Sequence, residues 1–306
     1  MVAGKLRIVC GPTGAGKSRV AMMLAEEYEA AIVSADSRQV YCYFDIGTAK
    51  PTRDECTRVT HYGVDVAEPG ERYSAARWAR EAVEWIECAG ELDKAAIVVG
   101  GTGLYIKALV QPLFDAPAMD PVVRSQLESQ LSEKSVDELR RWCEALDPSR
   151  AHLGRTQLLR SIETALLAGG RMSELHEVHA ATAVAADVQP TYLVVDPGDG
   201  LASQIEHRVD QMLDRGWIDE VKRLLTRVPT DAPAWKASGY AAIRDHVEGK
   251  TGLSTTRERI IIETRQYAKR QRTWFRHQLP ADAVTKLNPL DSRAAAIARE
   301  WWERAE

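Results

Sequence analysis

The chain has 306 residues, of which 45% are hydrophobic and 27% are charged, and its formal net charge is −4 at pH 7. These values are typical of a globular protein and exclude a general polycation, so any nucleic-acid site has to be a local basic patch. The longest apolar runs, such as AAIVVGG, have strand length, and we expect neither a membrane-spanning helix nor a signal peptide. The five cysteines form no CxxC pair, which favours reduced thiols in a cytoplasm, and nothing in the pattern demands more than a monomer.

Short β-rich runs alternate with helical patterns in the first hundred residues. We predict strands at 5–10, 31–35 and 95–99, and helices at 17–29 and 73–89. Strands that alternate with helices are typical of a parallel sheet covered by helices on both faces. The sequence therefore predicts an α/β fold.

A segment rich in proline and aspartate, residues 112–121, interrupts this alternation. The chain beyond it has only helical patterns up to about residue 180, and a strand is predicted again at 191–197. Such an order indicates a core that is interrupted by an inserted domain and then resumed. We therefore predict a P-loop α/β core formed by 1–116 and 188–306, with an all-helical insertion domain at 117–187.

The motif GPTGAGKS lies between the first predicted strand and the first predicted helix. In such a GxxxxGK[ST] loop, glycines let the backbone wrap with its N–H groups pointing inward, towards a polyphosphate at the helix amino terminus. Lys17 adds a cation, and Ser18 is placed to bind a Mg²⁺ ion carried by the polyphosphate. The predicted phosphate-binding residues are Gly11, Pro12, Thr13, Gly14, Ala15, Gly16, Lys17 and Ser18.

Two further polar residues follow predicted strands. Asp36 comes after the second strand, and Thr102 lies in the GGTG turn after the third. The carboxyl ends of parallel strands meet at one edge of a sheet, so both side chains should face the phosphate loop. Asp36 is then either a metal ligand, as in a kinase, or a general base for a nucleophile that attacks carbon and displaces diphosphate. Arg208 points either into the same site or into solvent.

Two long amphipathic stretches are predicted at 201–227 and 253–278. The second contains TRQYAKRQRTWFRHQ, which has five cations and no acid. Four of the cations follow the spacing i, i+4, i+7, i+11 and share one helix face: Arg265, Lys269, Arg272 and Arg276. A stripe of this kind indicates phosphate binding, most plausibly to a nucleic-acid backbone, unless acids from other segments pair with it.

The order of these motifs resembles the tRNA dimethylallyltransferase family, also called isopentenyl-tRNA transferase. The resemblance spans most of the chain and is specific in combination, although the phosphate loop alone is not. It rests on GPTGAGKS at 11–18, SADSRQVY at 34–41, DIGTAKP at 45–51, YSAARW at 73–78, VGGTGLYIKAL at 99–109, DPVVR at 120–124 and QYAKRQRTWFR at 266–276.

The resemblance implies transfer of a dimethylallyl group from dimethylallyl diphosphate to N6 of the adenosine 3′ of the anticodon in tRNA, with Mg²⁺ as cofactor. The phosphate loop would then hold the diphosphate of the donor, and Asp36 would be the base that removes a proton from the adenine amine. Lys17 and Arg208 would stabilise the leaving diphosphate, and Thr102 would lie beside the reacting centre.

The same resemblance implies two sets of tRNA contacts. The target base, flipped into the site, and its neighbours would meet Asp36, Thr102, Ser37, Arg38 and Gln39. The anticodon stem-loop would be clasped by the insertion through Arg124, Gln157, Leu158, Leu159, Arg160 and Ser161.

The sequence departs from the family pattern in several places that are tRNA-facing by analogy. The usual double histidine is His61-Tyr62, the usual basic residue after Gly239-Tyr240 is Ala241, and Leu153-Gly154 replaces the customary Asn-Asp. Gln157 also stands where an arginine is common. These departures leave the chemical core intact, so the resemblance covers the chemistry and does not extend to the RNA sequence preference.

Three alternatives remain open from the sequence. The first is an enzyme that prenylates free adenine nucleotides, against which the insertion and the cation stripe argue. The second is a small-molecule P-loop kinase in which Arg150, Arg155 and Arg160 form a phosphate lid. The third is a non-catalytic RNA-binding protein that kept the fold, against which the intact Lys17, Ser18, Asp36 and Thr102 argue.

Overall fold

The computed structural model describes residues 5–111, 120–175 and 189–304. Its internal packing divides the chain into two units, of which the first contains 5–111 and 189–304 and the second contains 120–175. The domain boundaries predicted from the sequence, near 116 and 188, lie outside the described residues. No helix among the residues described has the length and apolar character needed to span a membrane.

A six-stranded sheet forms the centre of the first unit, and all its strand pairs are parallel. The predicted α/β fold with a parallel sheet is thereby confirmed. The strands are β1 (Lys5–Cys10), β2 (Ala31–Ser34), β3 (His61–Tyr62), β4 (Ala96–Gly100), β5 (Gln189–Val195) and β6 (Val284–Leu287). Their order in the sheet is β3-β2-β4-β1-β5-β6, so the phosphate loop follows a strand that lies between β4 and β5.

Side chains of the central strands alternate between two cores, one on each face of the sheet. In β1, Ile8 and Cys10 belong to one core and Val9 to the other, and in β4, Val98 and Val99 are divided in the same way. All of these side chains are buried. Continuous apolar strands of this kind require helices on both faces, because neither face of the sheet meets water.

The described part of the first unit contains nine α-helices in addition to the sheet. The predicted helix at 253–278 is confirmed over its whole length, whereas the stretch 201–227 is two helices. Gly216, with φ of 90°, separates them and is the N-cap of the second. The helices are α1 (Lys17–Glu27), α2 (Arg53–Arg58), α3 (Ala75–Glu91), α4 (Gly103–Val110), α8 (Leu201–Asp214), α9 (Trp217–Leu225), α10 (Tyr240–Val247), α11 (Leu253–Gln278) and α12 (Ala294–Arg304).

The described part of the second unit is helical, with α5 (Pro121–Ser132), α6 (Val136–Leu146) and α7 (Arg155–Ala168). Asp120 caps α5 ahead of a proline at the first helical position, and Ser135 with Glu138 forms a capping box on α6. Its small core consists of Leu131, Leu139, Cys143, Ala151, Leu158 and Ile162.

Two buried side chains hold the segment 45–47, which follows β2 and reaches the cavity described below. Glu220 is 4% exposed and accepts the N–H groups of Asp45 and Ile46, at 3.1 and 2.7 Å. The Tyr240 hydroxyl donates to Glu220 at 2.6 Å and accepts the N–H of Gly47 at 3.1 Å. These hydrogen bonds of Glu220 and Tyr240 satisfy three backbone donors and one carboxylate inside the protein.

Replacing Tyr240 by phenylalanine is expected to lower the free energy of unfolding by about 2 kcal/mol, because Gly47 N–H and buried Glu220 each lose a partner. Urea denaturation would measure this change. Tyr28→Phe is the matched control, since the Tyr28 hydroxyl also contacts a carboxylate, that of Glu303, but at the surface. Its expected loss of unfolding free energy is below about 0.5 kcal/mol. Equal losses for the two variants would contradict a stabilising role of the buried Tyr240 hydroxyl.

Candidate active site

The phosphate loop joins β1 to α1 and leaves the amino terminus of that helix open. Gly16 is the N-cap in a left-handed conformation, with φ of 84°, and no side chain caps the helix. By contrast, α3, α5 and α6 each begin with a serine or aspartate that accepts backbone N–H groups. The first N–H groups of α1 are therefore available to an anion, which the helix dipole also favours.

Three of the predicted loop residues offer no free backbone N–H group. Pro12 has no N–H, and its carbonyl instead accepts the Lys17 ammonium at 2.8 Å. The N–H of Thr13 donates to Gln271 Oε1 at 2.8 Å. The N–H of Ala15 donates to Pro12 O at 3.3 Å, so the open amino terminus of α1 supplies the backbone donors for a phosphate. Ser18 is exposed in the first turn of α1 and lines the cavity.

Lys17, Arg208 and Asp36 line one cavity and influence one another through their charges. Burial is the main cause that lowers the pKa of Lys17 to about 8; the charge of Arg208 lowers it further, and Asp36 acts in the opposite direction. Burial likewise lowers the pKa of Arg208, again opposed by Asp36. Two cations beside one carboxylate give this end of the cavity an excess of positive charge, which suits an anionic ligand.

The loops after β2 and β4 are joined directly at Thr102. Its hydroxyl accepts the N–H of Ser37 at 3.0 Å, and its own N–H donates to Ala35 O at 3.2 Å. Asp36, between those two residues, accepts the N–H of Arg38 at 2.8 Å. A side chain at Gly100 would overlap Ala35 O, since an added Cβ would lie 2.1 Å from it. Glycine there lets the two strand ends approach, so Asp36 and Thr102 lie close together as predicted.

The cavity has a volume of about 350 Å³ and is lined on one side by a face of the long helix α11. Ile260, Thr264, Tyr267 and Gln271 line it at the spacing i, i+4, i+7, i+11. This stripe is inconspicuous in the sequence, because it lies on a neighbouring face of the helix from the cations. Tyr267 also interacts with Thr102, and burial followed by the charge of Asp36 raises the pKa of its hydroxyl. The available signal in the sequence was that the polar residues Thr264 and Gln271 share one helix face with Ile260 and Tyr267.

The structure gives Gln39 a different role from the predicted base contact. Its Oε1 accepts the Ser34 hydroxyl at 2.8 Å, and its Nε2 donates to the carbonyls of Thr48 and Ala49, at 3.2 and 2.9 Å. The amide is thus used within the protein, where it ties β2 to the following loop. Arg38 lines the cavity, and its side chain stays a candidate for contact with the base.

Acids from other segments pair with two members of the cation stripe, contrary to its isolated appearance in the sequence. Arg272 makes a two-pronged ion pair with Asp196, with Nε at 2.8 Å, and Arg265 pairs with Glu206. Lys269 and Arg276 are exposed and form no ion pair within the described residues. The stripe is therefore half neutralised, and its free charge lies on Lys269 and Arg276.

Asp196 is a second acid that follows a strand of the sheet, in addition to Asp36. It follows β5, the neighbour of β1, directly. Because its carboxylate is taken by Arg272, this second strand-end acid is neutralised rather than offered to the cavity.

Two predicted tRNA contacts in the helical unit are wrong for the side chains concerned. Leu158 and Ser161 of α7 have no exposed surface. Leu158 packs in the core of that unit, and the Ser161 hydroxyl accepts Arg150 Nε at 2.8 Å. A buried group cannot reach a partner at the surface, so both serve packing. Gln157 is exposed and Leu159 partly exposed, which leaves them able to make contacts.

Arg124 and Arg160 share the buried carboxylate of Glu163, at 3.0 and 3.6 Å. Glu128 also approaches Arg124, at 3.1 Å. The four charges balance within this cluster. The two arginines can therefore offer hydrogen-bond donors, rather than net charge, to an RNA backbone.

Comparison with known proteins gives consistent results. The IPP transferase family model matches residues 39–278. A tRNA dimethylallyltransferase of Cyanothece sp. is 38% identical over 296 residues, covering 94% of this chain and 93% of that protein. The crystal structure of the tRNA isopentenylpyrophosphate transferase of Bacillus halodurans has a TM-score of 0.68 at 30% identity, covering 99% of this chain and 97% of its own. A eukaryotic dimethylallyltransferase, 24% identical, shares the fold with a TM-score of 0.79, covering 98% of this chain and 80% of its own.

These matches confirm the resemblance drawn from the motifs. The family model spans most of the chain, and the Cyanothece protein aligns over nearly its whole length. The phosphate loop, Asp36 and Thr102 line or adjoin one cavity, as the motif order requires. This chain belongs to the IPP transferase family.

Proposed function

We propose that this chain transfers a dimethylallyl group from dimethylallyl diphosphate to N6 of the adenosine 3′ of the anticodon in tRNA, and releases diphosphate. The observation that carries the proposal is the single cavity in which Lys17 and Arg208 adjoin Asp36. An anion site beside a carboxylate suits a reaction in which diphosphate leaves as a base accepts a proton. The relatives named tRNA dimethylallyltransferase support the same reaction.

The donor diphosphate binds at the open amino terminus of α1. Lys17, Arg208 and the free loop N–H groups contact its oxygens and stabilise the charge that grows on it as the C–O bond breaks. Apolar side chains further along the cavity, including Val209, Met212 and Ile260, accommodate the five-carbon tail. Water is displaced from this region, which strengthens the electrostatic interactions at the diphosphate.

Asp36 acts as the general base. The adenine amine is a weak nucleophile because its lone pair is delocalised, and loss of a proton as the C–N bond forms compensates for this. The amine nitrogen attacks C1 of the donor, the C1–O bond breaks with its electron pair going to diphosphate, and the amine proton passes to the carboxylate of Asp36. The backbone bond from Arg38 occupies one oxygen of that carboxylate and orients it. Thr102, fixed by Ser37 and Tyr267, lies beside the flipped base.

Mg²⁺ fits this site as a companion of the donor rather than as a resident of a protein cage. The described residues contain no cluster of three or more carboxylate, histidine or cysteine ligands. Mg²⁺ that is carried by a diphosphate needs only one or two protein ligands, and the exposed hydroxyl of Ser18 would supply one. When bound, the ion would neutralise part of the diphosphate charge.

The exposed cations of α11 bind the tRNA backbone. Changing Lys269 and Arg276 together to alanine is expected to weaken tRNA binding and to reduce the slope of log affinity against log salt by about 2, because two phosphate contacts are lost. Binding titrations at several salt concentrations would measure it. Arg259→Ala is the control, since Arg259 lies on the same helix but is paired with Asp245 and Glu263. A slope unchanged in the double variant would exclude this face from RNA binding.

The kinase alternative requires Arg150, Arg155 and Arg160 to form a phosphate lid, but all three have partners within the helical unit. Arg155 donates to the carbonyls of Leu131, Ser132 and Lys134 at the end of α5, and Arg150 is bound to Ser161. Arg160 pairs with Glu163. These guanidinium groups support the helical unit itself, so none is free to close over a nucleotide.

The direct test is a transfer assay with purified protein, Mg²⁺, labelled dimethylallyl diphosphate, and either unmodified tRNA or AMP. Label in tRNA that is lost in Asp36→Ala is the expected result. Label in AMP alone would keep the chemistry and replace the acceptor by a free nucleotide. Absence of label in both would refute prenyl transfer.

A monomer in the cytoplasm stays a prediction. Light scattering after gel filtration tests the oligomeric state.

A further inference from the structure

Gln271 connects two loops of the site that are remote from it in sequence. Its Oε1 accepts the N–H of Thr13 in the phosphate loop at 2.8 Å, and its Nε2 donates to Gly101 O, before Thr102, at 2.7 Å. The residue is 7% exposed and lines the cavity from α11. An added Cβ at Gly101 would lie 2.4 Å from Nε2 of this amide, so the amide packs closely against that glycine.

A primary amide matches these partners in a way that other side chains of its size do not. It offers one acceptor and one donor at a fixed separation, whereas a carboxylate has only acceptors and a leucine has neither. The strands β1 and β4 are paired as far as Cys10 and Gly100, and both loops begin just beyond that point. Gln271 therefore fixes the loops where the sheet hydrogen bonds stop.

We propose that Gln271 is a positioning residue for the group transfer, holding the phosphate loop and the Thr102 loop at the separation that the reaction needs. This inference rests on the proposed function, because one loop carries Lys17 for the donor and the other carries Thr102 beside the acceptor base. Gln271 acts through these loops. Because Gln271 lies on α11, the separation of the donor and acceptor loops is linked to the helix that bears the exposed cations.

The test is Gln271→Glu, with kcat and KM for each substrate measured from about pH 6 to about pH 9. The ionised glutamate keeps the bond from Thr13 but repels the Gly101 carbonyl, so kcat at the upper end is expected to fall by about 10²-fold. Burial and that carbonyl raise the pKa of a carboxyl group here. Protonation at lower pH restores the donor, so the ratio of variant to wild-type kcat is expected to rise as the pH falls.

Gln266→Glu is the matched control, because it adds the same charge to an exposed position of the same helix. Its ratio to wild type is expected to stay constant over this pH range, since an exposed carboxyl is ionised throughout. Gln271→Leu is the second variant: it removes both bonds with little change in volume, and its expected kcat is low at every pH. Thermal denaturation identifies the temperature at which all variants are folded.

Two results would overturn the inference: a pH-independent ratio for Gln271→Glu, or a kcat for folded Gln271→Leu within about threefold of wild type. A role in stability alone would shift the melting temperature and leave the kcat of the folded protein and its pH profile unchanged. Failure of the wild-type protein to prenylate tRNA in the same assay would instead refute the proposed function. The two failures are therefore distinguishable.

Discussion

Replacement of Asp36 by asparagine is expected to lower kcat for transfer to tRNA by about 10²–10⁴-fold, because the amide cannot accept the proton of the adenine amine. The backbone bond from Arg38 survives, since the amide oxygen also accepts it. Donor binding is expected to stay the same or tighten. The lost carboxylate no longer offsets the positive charges of Lys17 and Arg208, with both of which it interacts.

The measurement combines steady-state transfer to tRNA with calorimetric titration of dimethylallyl diphosphate in the absence of tRNA. Asp65→Asn is the control, because Asp65 is an exposed carboxylate that is bound to Lys50 and does not line the cavity. A kcat for Asp36→Asn within tenfold of wild type would exclude Asp36 as the base. Weaker donor binding together with normal kcat would assign Asp36 to the donor instead.

Replacement of Lys17 by methionine is expected to reduce kcat/KM for the donor by about 10²–10³-fold, because one charged contact to the leaving diphosphate is lost. Lys17 also predicts a pH dependence. The protonated amine binds the diphosphate, and its pKa in the free protein is about 8. Donor affinity is therefore full below that pH and falls as the pH rises through it, until the pKa of the occupied site is reached.

Titrations of wild-type protein and Lys17→Met with dimethylallyl diphosphate across this range would measure both effects. The decline above pH 8 should be present in wild type and absent in the methionine variant, because the titrating group has been removed. Lys94→Met is the control, since Lys94 is bonded to Thr60 outside the cavity. A decline that persists in Lys17→Met would assign the pH dependence to another group.

The sequence alone determined the parts of this protein that depend on neighbours along the chain. Alternation of apolar strands and helices predicted the parallel sheet, and the motif at 11–18 predicted the phosphate loop, since both are local patterns. Asp36 and Thr102 were identified because every parallel strand ends at the same edge of the sheet. The edge strands β3 and β6 were not predicted, because β3 has two residues and β6 lacks the continuous buried apolar run that marks the equally short β2.

Only the tertiary structure decided which polar groups are used inside the protein and which remain available. Ion pairing of Arg272 with Asp196 joins residues far apart in the chain, and no helical spacing encodes that neighbour. The same holds for Gln271, which looks like an ordinary polar residue of a helix until Thr13 and Gly101 are brought to either side of it. A sequence pattern predicts which residues share one face of a helix, whereas charge balance, burial and hydrogen bonding depend on what packs against that face.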